Sequence, residues 1–190
     1  MKLKGYIFKT GALAALLLGA ALLQGCSKQS LQTTYDNQDK KIDQFIQSQL
    51  NSSAAVRVYA DGGVSRLVIS EGEGADSLST EGTVSFFYTG YTFSGSLSSK
   101  NIFATNDPAV VSSGDWGKLS GVDTTAVTVN LRDSDLVEGL RKGLFGVRKG
   151  EKCMIMFSGQ HAFGNKAIGT IPANSALLYN VSVTEIDNGK

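Results

Sequence analysis

Histidine, cysteine, tryptophan and proline are scarce in this chain of 190 residues, which has one histidine, two cysteines, one tryptophan and two prolines. His161 has no second histidine or cysteine pair nearby in the sequence, so neither a metal site nor a cofactor is predicted. Cys26 lies at the end of the N-terminal processing signal described below, where it is predicted to be modified. Cys153 is therefore left without a disulfide partner. Cys153 is therefore predicted to be a small buried residue of a strand.

Strong charge of either sign is also missing. The chain has 18 basic and 17 acidic residues, for a net charge of +1. Three of the lysines (Lys2, Lys4 and Lys9) lie in a segment predicted to be removed, and without them 15 basic residues stand against 17 acidic ones. No basic patch with interleaved aromatic residues occurs, so nothing indicates nucleic acid as a partner. The length and the 42% of hydrophobic residues indicate one globular domain with appendages.

The N-terminus carries the pattern of a processing signal. The three lysines precede an apolar run at residues 11–23, which is short for a permanent membrane span of about 20 residues. The run ends at Leu23-Gln24-Gly25-Cys26, which resembles a bacterial lipobox. This resemblance implies removal of residues 1–25 and acylation of Cys26, which would anchor the protein to a membrane of the bacterial cell envelope. The alternative is an ordinary secretory signal in which the cysteine is incidental.

Residues 26–55 are predicted to form a tether followed by a helix. The stretch from Ser27 to Thr34 is polar, and apolar residues then recur at helical spacing between Tyr35 and Leu50. A helix that packs on the flank of the domain is favoured, because a helix with so few apolar positions is too short for a coiled coil. A stalk or dimerisation helix is the alternative, and no feature predicts the oligomeric state.

Residues 56–190 show the pattern of an α+β domain. Extended runs at Val56–Tyr59 and Val64–Ser70 flank Asp61-Gly62-Gly63 and predict a hairpin. Alternating apolar residues predict further strands at 83–88, 127–131, 151–157 and 177–183. Asp133 or Ser134 can cap a short helix that extends to about Leu144. The prediction is an antiparallel sheet of about five strands wrapped around one short helix, with a long insertion loop at 106–126.

The residues from Thr83 to Ile186 resemble the FKBP-type peptidyl-prolyl cis-trans isomerases. The resemblance rests on Tyr88-Thr89-Gly90, the helix and Val-Arg-Lys-Gly-Glu-Lys segment at 135–152, His-Ala-Phe-Gly at 161–164, and Ile171-Pro172. It implies an FKBP-like fold and a pocket for X–Pro segments of exported polypeptides. The residues that it places in this pocket are Tyr88, Phe103, Val127, Leu136, Val137, Leu140, Phe163, Ile171 and Tyr179.

Val127 stands where the family has an aromatic wall, and three further positions depart from the family's pattern. Ala104 stands where the family has an aspartate, Leu140 where it has a tryptophan, and Phe163 where it has a tyrosine that donates a hydrogen bond. Isomerisation needs no nucleophile, acid, base or metal, because an apolar cavity disfavours the polar planar amide and so lowers the barrier of about 18–20 kcal/mol. We therefore expect an isomerase or folding factor with weakened activity.

Two other functions stay open at this point. A non-catalytic module could keep the fold and hold polypeptides in a degenerate pocket or in the insertion loop. The weaker alternative is a lipoprotein whose insertion loop binds a glycan, with Trp116 as its only aromatic support.

Overall fold

The computed structural model describes residues 10–52, 54–114 and 121–189, and for residues 10–27 it describes the backbone alone. The N-terminal lysines and Trp116 lie outside the described residues, and the side chain of Cys26 is not described either. Between residues 28 and 189, no helix with described side chains is long and apolar enough to cross a membrane. The acylation of Cys26 and the removal of residues 1–25 stay predictions, as does the division at residues 25 and 55.

Helix α1 (Thr10–Asn51) contains the predicted helix but begins well before it. The stretch predicted to be a polar tether is helical instead. Its hydroxyl groups do not break the helix, since Thr33 and Thr34 donate to the carbonyls of Gln29 and Ser30, one turn earlier. Gln32 also bonds to Asp36 at 2.8 Å along the same helix face.

Seven strands form one antiparallel sheet in the order β1-β2-β6-β7-β3-β4, with β5 paired to β3. The strands are β1 (Arg57–Asp61), β2 (Val64–Ser70), β3 (Thr83–Thr92), β4 (Ile102–Thr105), β5 (Val127–Asn130), β6 (Lys152–Phe157) and β7 (Leu177–Asp187). The predicted α+β fold with an N-terminal helix is confirmed. The sheet of the described residues has more strands than the expected five or so. Six of its strands match the extended runs of the sequence, and β4 was missed because its sequence, Ile-Phe-Ala-Thr, does not alternate between apolar and polar residues.

Each face of the sheet buries its own apolar cluster. One face packs against α3 (Glu138–Leu144) and includes Phe157 of β6 and Tyr179 of β7. The opposite face packs against α1 and includes Met156 and Leu178, the strand neighbours of those two residues. Adjacent residues of a strand point to opposite faces, so one sheet serves both clusters. The predicted packing of the N-terminal helix on the domain is thus confirmed.

Helix α3 begins three or four residues later than predicted, and Val137 occupies its N-cap position without a side-chain cap. Asp133, one of the two predicted caps, instead forms a turn, in which its carboxylate accepts from the Asp135 N–H at 3.1 Å. The Asp133 carbonyl accepts from the Arg141 guanidinium at 2.7 Å. The turn delays the helix, so that Leu136 and Val137 precede it.

A buried ion pair holds the other end of α3. Arg66 of β2 lies 3.4 Å from Glu151, and both side chains are almost fully buried. The Arg66 guanidinium also donates to the carbonyls of Gly143 and Phe145, at 3.3 and 2.7 Å. These carbonyls lie at the C-terminal end of α3, where a cation is favourable. The sequence did not predict this pair.

The insertion loop is more ordered at its start than the sequence predicted. Helix α2 (Pro108–Ser113) begins at Asp107, whose carboxylate accepts from the Ala109 N–H at 2.9 Å. Asn106 is buried just before it and donates to the carbonyls of Phe86 and Thr125, at 3.3 and 2.8 Å. The Asn106 side chain thus joins the start of the insertion to Thr125, near its end, and to Phe86 of β3.

Candidate functional site

The aromatic residues of the α3-side cluster gather around Tyr179. The ring of Phe157 stacks on it at 6.0 Å between centroids, and the ring of Phe103 meets it edge-on at 5.7 Å. Tyr88 lies 6.0 Å away on a third side. Such offset and edge-to-face arrangements are the favourable ones for aromatic pairs. Three rings from three other strands therefore pack around the ring of Tyr179.

Glycine at position 90 makes room for this arrangement. A Cβ atom at Gly90 would lie 2.4 Å from the tip of the Phe103 ring, which is closer than non-bonded carbon atoms approach one another. Gly90 pairs with Ala104 between β3 and β4, so the ring of Phe103 lies directly across the backbone of β3. The Tyr-Thr-Gly sequence thus combines the pocket aromatic Tyr88 with the gap that admits a second aromatic.

All nine residues that the sequence assigned to the pocket belong to this one apolar cluster. Three of them are buried and form its base: Leu140 of α3, Ile171 of the loop before β7, and Tyr179. The other six are half-buried and pack against the same cluster: Tyr88, Phe103, Val127, Leu136, Val137 and Phe163. An apolar base with a half-exposed apolar rim has the form of a small-ligand site. Binding by these residues stays a prediction.

The backbone of Val137 offers a hydrogen-bond donor at the rim. Val137 has φ −56° and ψ 135°, and its carbonyl accepts from the Arg141 N–H, which opens α3. No acceptor for its own N–H is found among the described residues. An N–H without a partner beside an apolar pocket is free to bind a substrate carbonyl.

The tyrosine hydroxyls of the site remain neutral at physiological pH. Burial raises the pKa of Tyr179 far above its usual value, with a smaller effect from Tyr88. Burial also raises the pKa of Tyr88. Neither hydroxyl has a hydrogen bond to another described residue. The site is therefore an uncharged surface, as the poor solvation of a planar amide requires.

The three departures from the family's pattern all touch this site. Ala104 brings no side-chain acceptor to the rim beside Phe103, and Leu140 is only 5% exposed, so it fills the base without an indole ring. Phe163 keeps an aromatic ring but has no hydroxyl to donate. The Val137 N–H is a donor of the site that these departures leave unchanged.

Sequence reasoning missed two contributors. Phe157 is fully buried and supports Tyr179 from below, although it had been assigned only to a strand. Asn106 accepts from the Tyr88 N–H at 2.6 Å and so fixes the strand next to the pocket aromatic. The alternation of β6 places Phe157 on the same face as Ile155, which was the available signal for the first. No local pattern indicates the second.

A cleft with a volume of about 460 Å³ lies elsewhere, between the β1–β2 hairpin and the C-terminal end of α3. It is lined by ionic groups of both signs, including Arg66 and Glu151. No group of three or more potential metal ligands occurs among the described residues.

The fold and the apolar aromatic site together define a class of protein. The profile of the family described as FKBP-type peptidyl-prolyl cis-trans isomerase matches residues 75–184, more than half of the chain and within the predicted domain. The chain therefore belongs to the FKBP-type peptidyl-prolyl cis-trans isomerase family.

Individual relatives agree with this assignment. FK506-binding protein 1 of Aspergillus oryzae is 28% identical over 129 residues, which cover 66% of this chain and 99% of the relative. FkpA of Buchnera aphidicola, an FKBP-type peptidyl-prolyl cis-trans isomerase, is 33% identical over 61 residues, 32% of this chain and 25% of that protein. The crystal structure of FkpA from Escherichia coli has a similar fold, with a TM-score of 0.54 at 17% identity over 97% of this chain and 75% of that one.

Proposed function

We propose that this protein is a peptidyl-prolyl cis-trans isomerase that acts on X–Pro bonds of exported polypeptides at the bacterial envelope, with activity weakened by its substituted pocket. One observation carries the proposal. The nine residues of the predicted pocket all belong to one apolar cluster, in which the rings of Tyr88 and Phe103 meet the ring of Tyr179, and the Val137 N–H has no partner in the described part of the chain.

The geometry suits a reaction that proceeds by twisting a bond. The proline ring of the substrate would rest on the buried base formed by Leu140, Ile171 and Tyr179. The Val137 N–H would donate to a substrate carbonyl and hold the substrate chain on one side of the rotating X–Pro bond. Twisting removes the charge separation of the planar amide, so an apolar uncharged surface favours the twisted state over the planar one.

The weakened activity follows from the loss of donors and of ring surface. A tyrosine at position 163 would supply one neutral hydrogen bond, whose loss costs about 0.5–1.5 kcal/mol, or about two- to tenfold in rate. Leucine at position 140 offers less flat surface for a proline ring than an indole does. The apolar base itself is retained, and it is the part that the reaction depends on most.

A protease-coupled or NMR exchange assay with a proline-containing peptide tests the proposal on the purified full chain in detergent. We expect a rate above the uncatalysed one, and a further two- to tenfold rise, approximately, for Phe163→Tyr. A rate equal to the uncatalysed one in the wild type, in Phe163→Tyr and in Leu140→Trp would refute the enzymatic function.

A second function is favoured by the same substitutions. Ala104 brings no side-chain acceptor, Leu140 no indole ring and Phe163 no donor, so the pocket is better equipped to hold a polypeptide than to orient one. A non-catalytic binding module would suppress aggregation of an unfolded client without accelerating isomerisation. Measuring both effects on one preparation separates the two functions.

The envelope location rests on the N-terminal sequence. The short apolar run and the cysteine at position 26 support acylation and anchoring to a membrane. Metabolic labelling with a fatty acid, followed by mass measurement of the N-terminal peptide, would test this. Label that persists in Cys26→Ala, or a mature chain that begins elsewhere than at Cys26, would contradict it.

A further inference from the structure

The loop between β6 and β7, residues 158–176, carries Phe163 and Ile171 and is called the pocket loop here. Its interior is closed by backbone hydrogen bonds. The Gly164 N–H donates to Gly159 at 3.1 Å, the Asn174 N–H donates to Gly164 at 2.6 Å, and Ile168 and Ile171 exchange two bonds of 3.0 and 2.9 Å. Most of the loop beyond Gly164 is exposed, so these bonds are its main internal support.

The two ends of the pocket loop are joined by a side chain of α1. Gln38 accepts from the Gly159 N–H at 2.8 Å with its amide oxygen, and donates to the Asn174 carbonyl at 2.7 Å with its amide nitrogen. In the described part of the chain, neither of these two backbone groups has another partner. One amide therefore takes the place of the backbone bond that would otherwise pair the two ends.

Tyr35, one helical turn before Gln38, reinforces this contact. Its hydroxyl donates to the Asn174 side-chain oxygen at 2.9 Å, and only 7% of the residue is exposed. Asn174 has a positive φ of 58°, a conformation that most residues avoid and that a fixed partner helps to hold. A Cβ atom at Gly159 would lie 2.6 Å from the Asn174 carbonyl oxygen, so the two ends approach as closely as glycine permits.

Helix α1 is itself immobilised on the sheet. Ile42 and Ile46 follow Gln38 on the same side of the helix, are at most 5% exposed, and pack on the outer cluster of the sheet. The Gln38 side chain therefore starts from a fixed backbone position. Its two hydrogen bonds hold both ends of the pocket loop close to α1. A hydrogen bond from a fixed group restricts its partner more than one from a mobile side chain does.

We propose that Gln38 is a positioning residue, which sets the placement of Phe163 and Ile171 and thereby makes the N-terminal helix part of the prolyl-binding machinery. The inference rests on the proposed function for its catalytic consequence, and its structural part can be measured separately. It assigns to α1 a function beyond packing: a helix that leads from the N-terminal segment directly adjusts the walls of the site.

The test compares Gln38→Ala with Gln44→Ala in the full chain. Gln44 is an exposed residue of the same helix, so it matches the change in helix propensity without touching the pocket loop. Tyr35→Phe is a milder variant, because it removes one hydroxyl and keeps the buried ring. Hydrogen exchange measured by mass spectrometry would follow peptides from the pocket loop and from strands β6 and β7.

We expect exchange in the pocket loop of Gln38→Ala to be roughly tenfold faster or more, since two hydrogen bonds are lost, with β6 and β7 unchanged. Tyr35→Phe should give a smaller increase, and Gln44→Ala none. With a proline-containing peptide, KM of Gln38→Ala should rise about three- to tenfold with kcat nearly constant, because the loosened walls contact ground and transition states alike.

Other results overturn the inference. Unchanged exchange in the pocket loop would show that Gln38 does not hold it. Equal acceleration across the whole domain, with KM unaffected, would show a purely structural effect on stability. If the wild-type chain does not isomerise the peptide, the proposed function fails, and the exchange comparison still decides whether Gln38 positions the loop.

Discussion

The two faces of the sheet use the same strands to opposite ends. On the outer face, Met156 and Leu178 are fully buried in the cluster to which α1 contributes Ile42 and Ile46. On the inner face, their strand neighbours Phe157 and Tyr179 belong to a cluster that also includes six half-buried residues of the predicted pocket. Both faces contribute apolar burial to stability. The inner one leaves apolar surface available, and that difference distinguishes a packing face from a binding face.

The faces also differ in how they treat polar groups. The outer face satisfies them, since Tyr35 and Gln38 bond to Asn174 and Gly159. The inner face keeps the Val137 N–H and the Tyr88 hydroxyl without partners in the described part of the chain. Donors left free beside apolar surface cost stability and are retained where a ligand can satisfy them. The contrast leads to three predictions, of which the first has the largest expected effect.

Replacing Phe157 should have the largest effect on the inner face. Phe157→Ala removes a fully buried ring, so the free energy of unfolding should fall by about 3–5 kcal/mol. Peptide binding should also be lost, because Tyr179 loses the ring on which it stacks. Urea unfolding followed by circular dichroism, with a peptide titration of the folded protein, measures both effects.

Met156→Ala is the matched control on the outer face. It should cost about 2–5 kcal/mol of unfolding free energy, since Met156 is also fully buried. The dissociation constant of the peptide should change much less than in Phe157→Ala. Equal loss of binding in the two variants would show that the faces are not functionally distinct.

A substitution at Val137 isolates the free donor of the inner face. The φ angle of −56° suits proline, so Val137→Pro removes the N–H while keeping the local backbone. We expect kcat/KM to fall about two- to tenfold further than in Val137→Ala, which keeps the donor and loses the side chain. The isomerisation assay measures this, and identical losses in both variants would rule out a role for the N–H.

The smallest effect concerns the buried carboxylate that helps to hold α3 on the inner face. Burial raises the pKa of Glu151, while the Arg66 guanidinium acts in the opposite direction. A raised folded-state pKa means that the unfolded chain releases its proton first, so this group's contribution to stability is lost as pH rises above the unfolded value. The unfolding free energy of the wild type, relative to Glu151→Gln, should therefore fall as the pH rises from about 4, near the ordinary pKa of a glutamate, through the raised pKa of Glu151. A constant difference across that range, in paired urea titrations, would contradict the prediction.

Much of the fold could be predicted because its signals are local. The hairpin at Asp61-Gly62-Gly63 and the alternation in β3 and β7 each lie within one stretch of sequence. The start of α3 was predicted too early, because Asp133 suits a turn as well as a helix cap. The N-terminal helix was predicted to begin only at Tyr35, because the stretch from Ser27 to Thr34 has no apolar periodicity, although its polar residues are acceptable helix formers.

The candidate site could be predicted in its membership and not in its support. A family resemblance supplied the nine residues, and the structure brings them into one cluster. Asn106 and Gln38 were missed, because each acts through bonds to backbone groups far away in the sequence. Gln38 lies 121 positions from Gly159 and 136 from Asn174, so no window of sequence contains both partners.

The sequence by itself determined the periodic elements, the α+β class, the family and the set of apolar residues available for a pocket, because these depend on the order and spacing of residue types. Tertiary structure alone decided which side of the sheet α1 covers, which rings meet at Tyr179, and which polar groups find partners. Those outcomes depend on strand register and on how helices cross the sheet, where a shift of one residue exchanges the two faces.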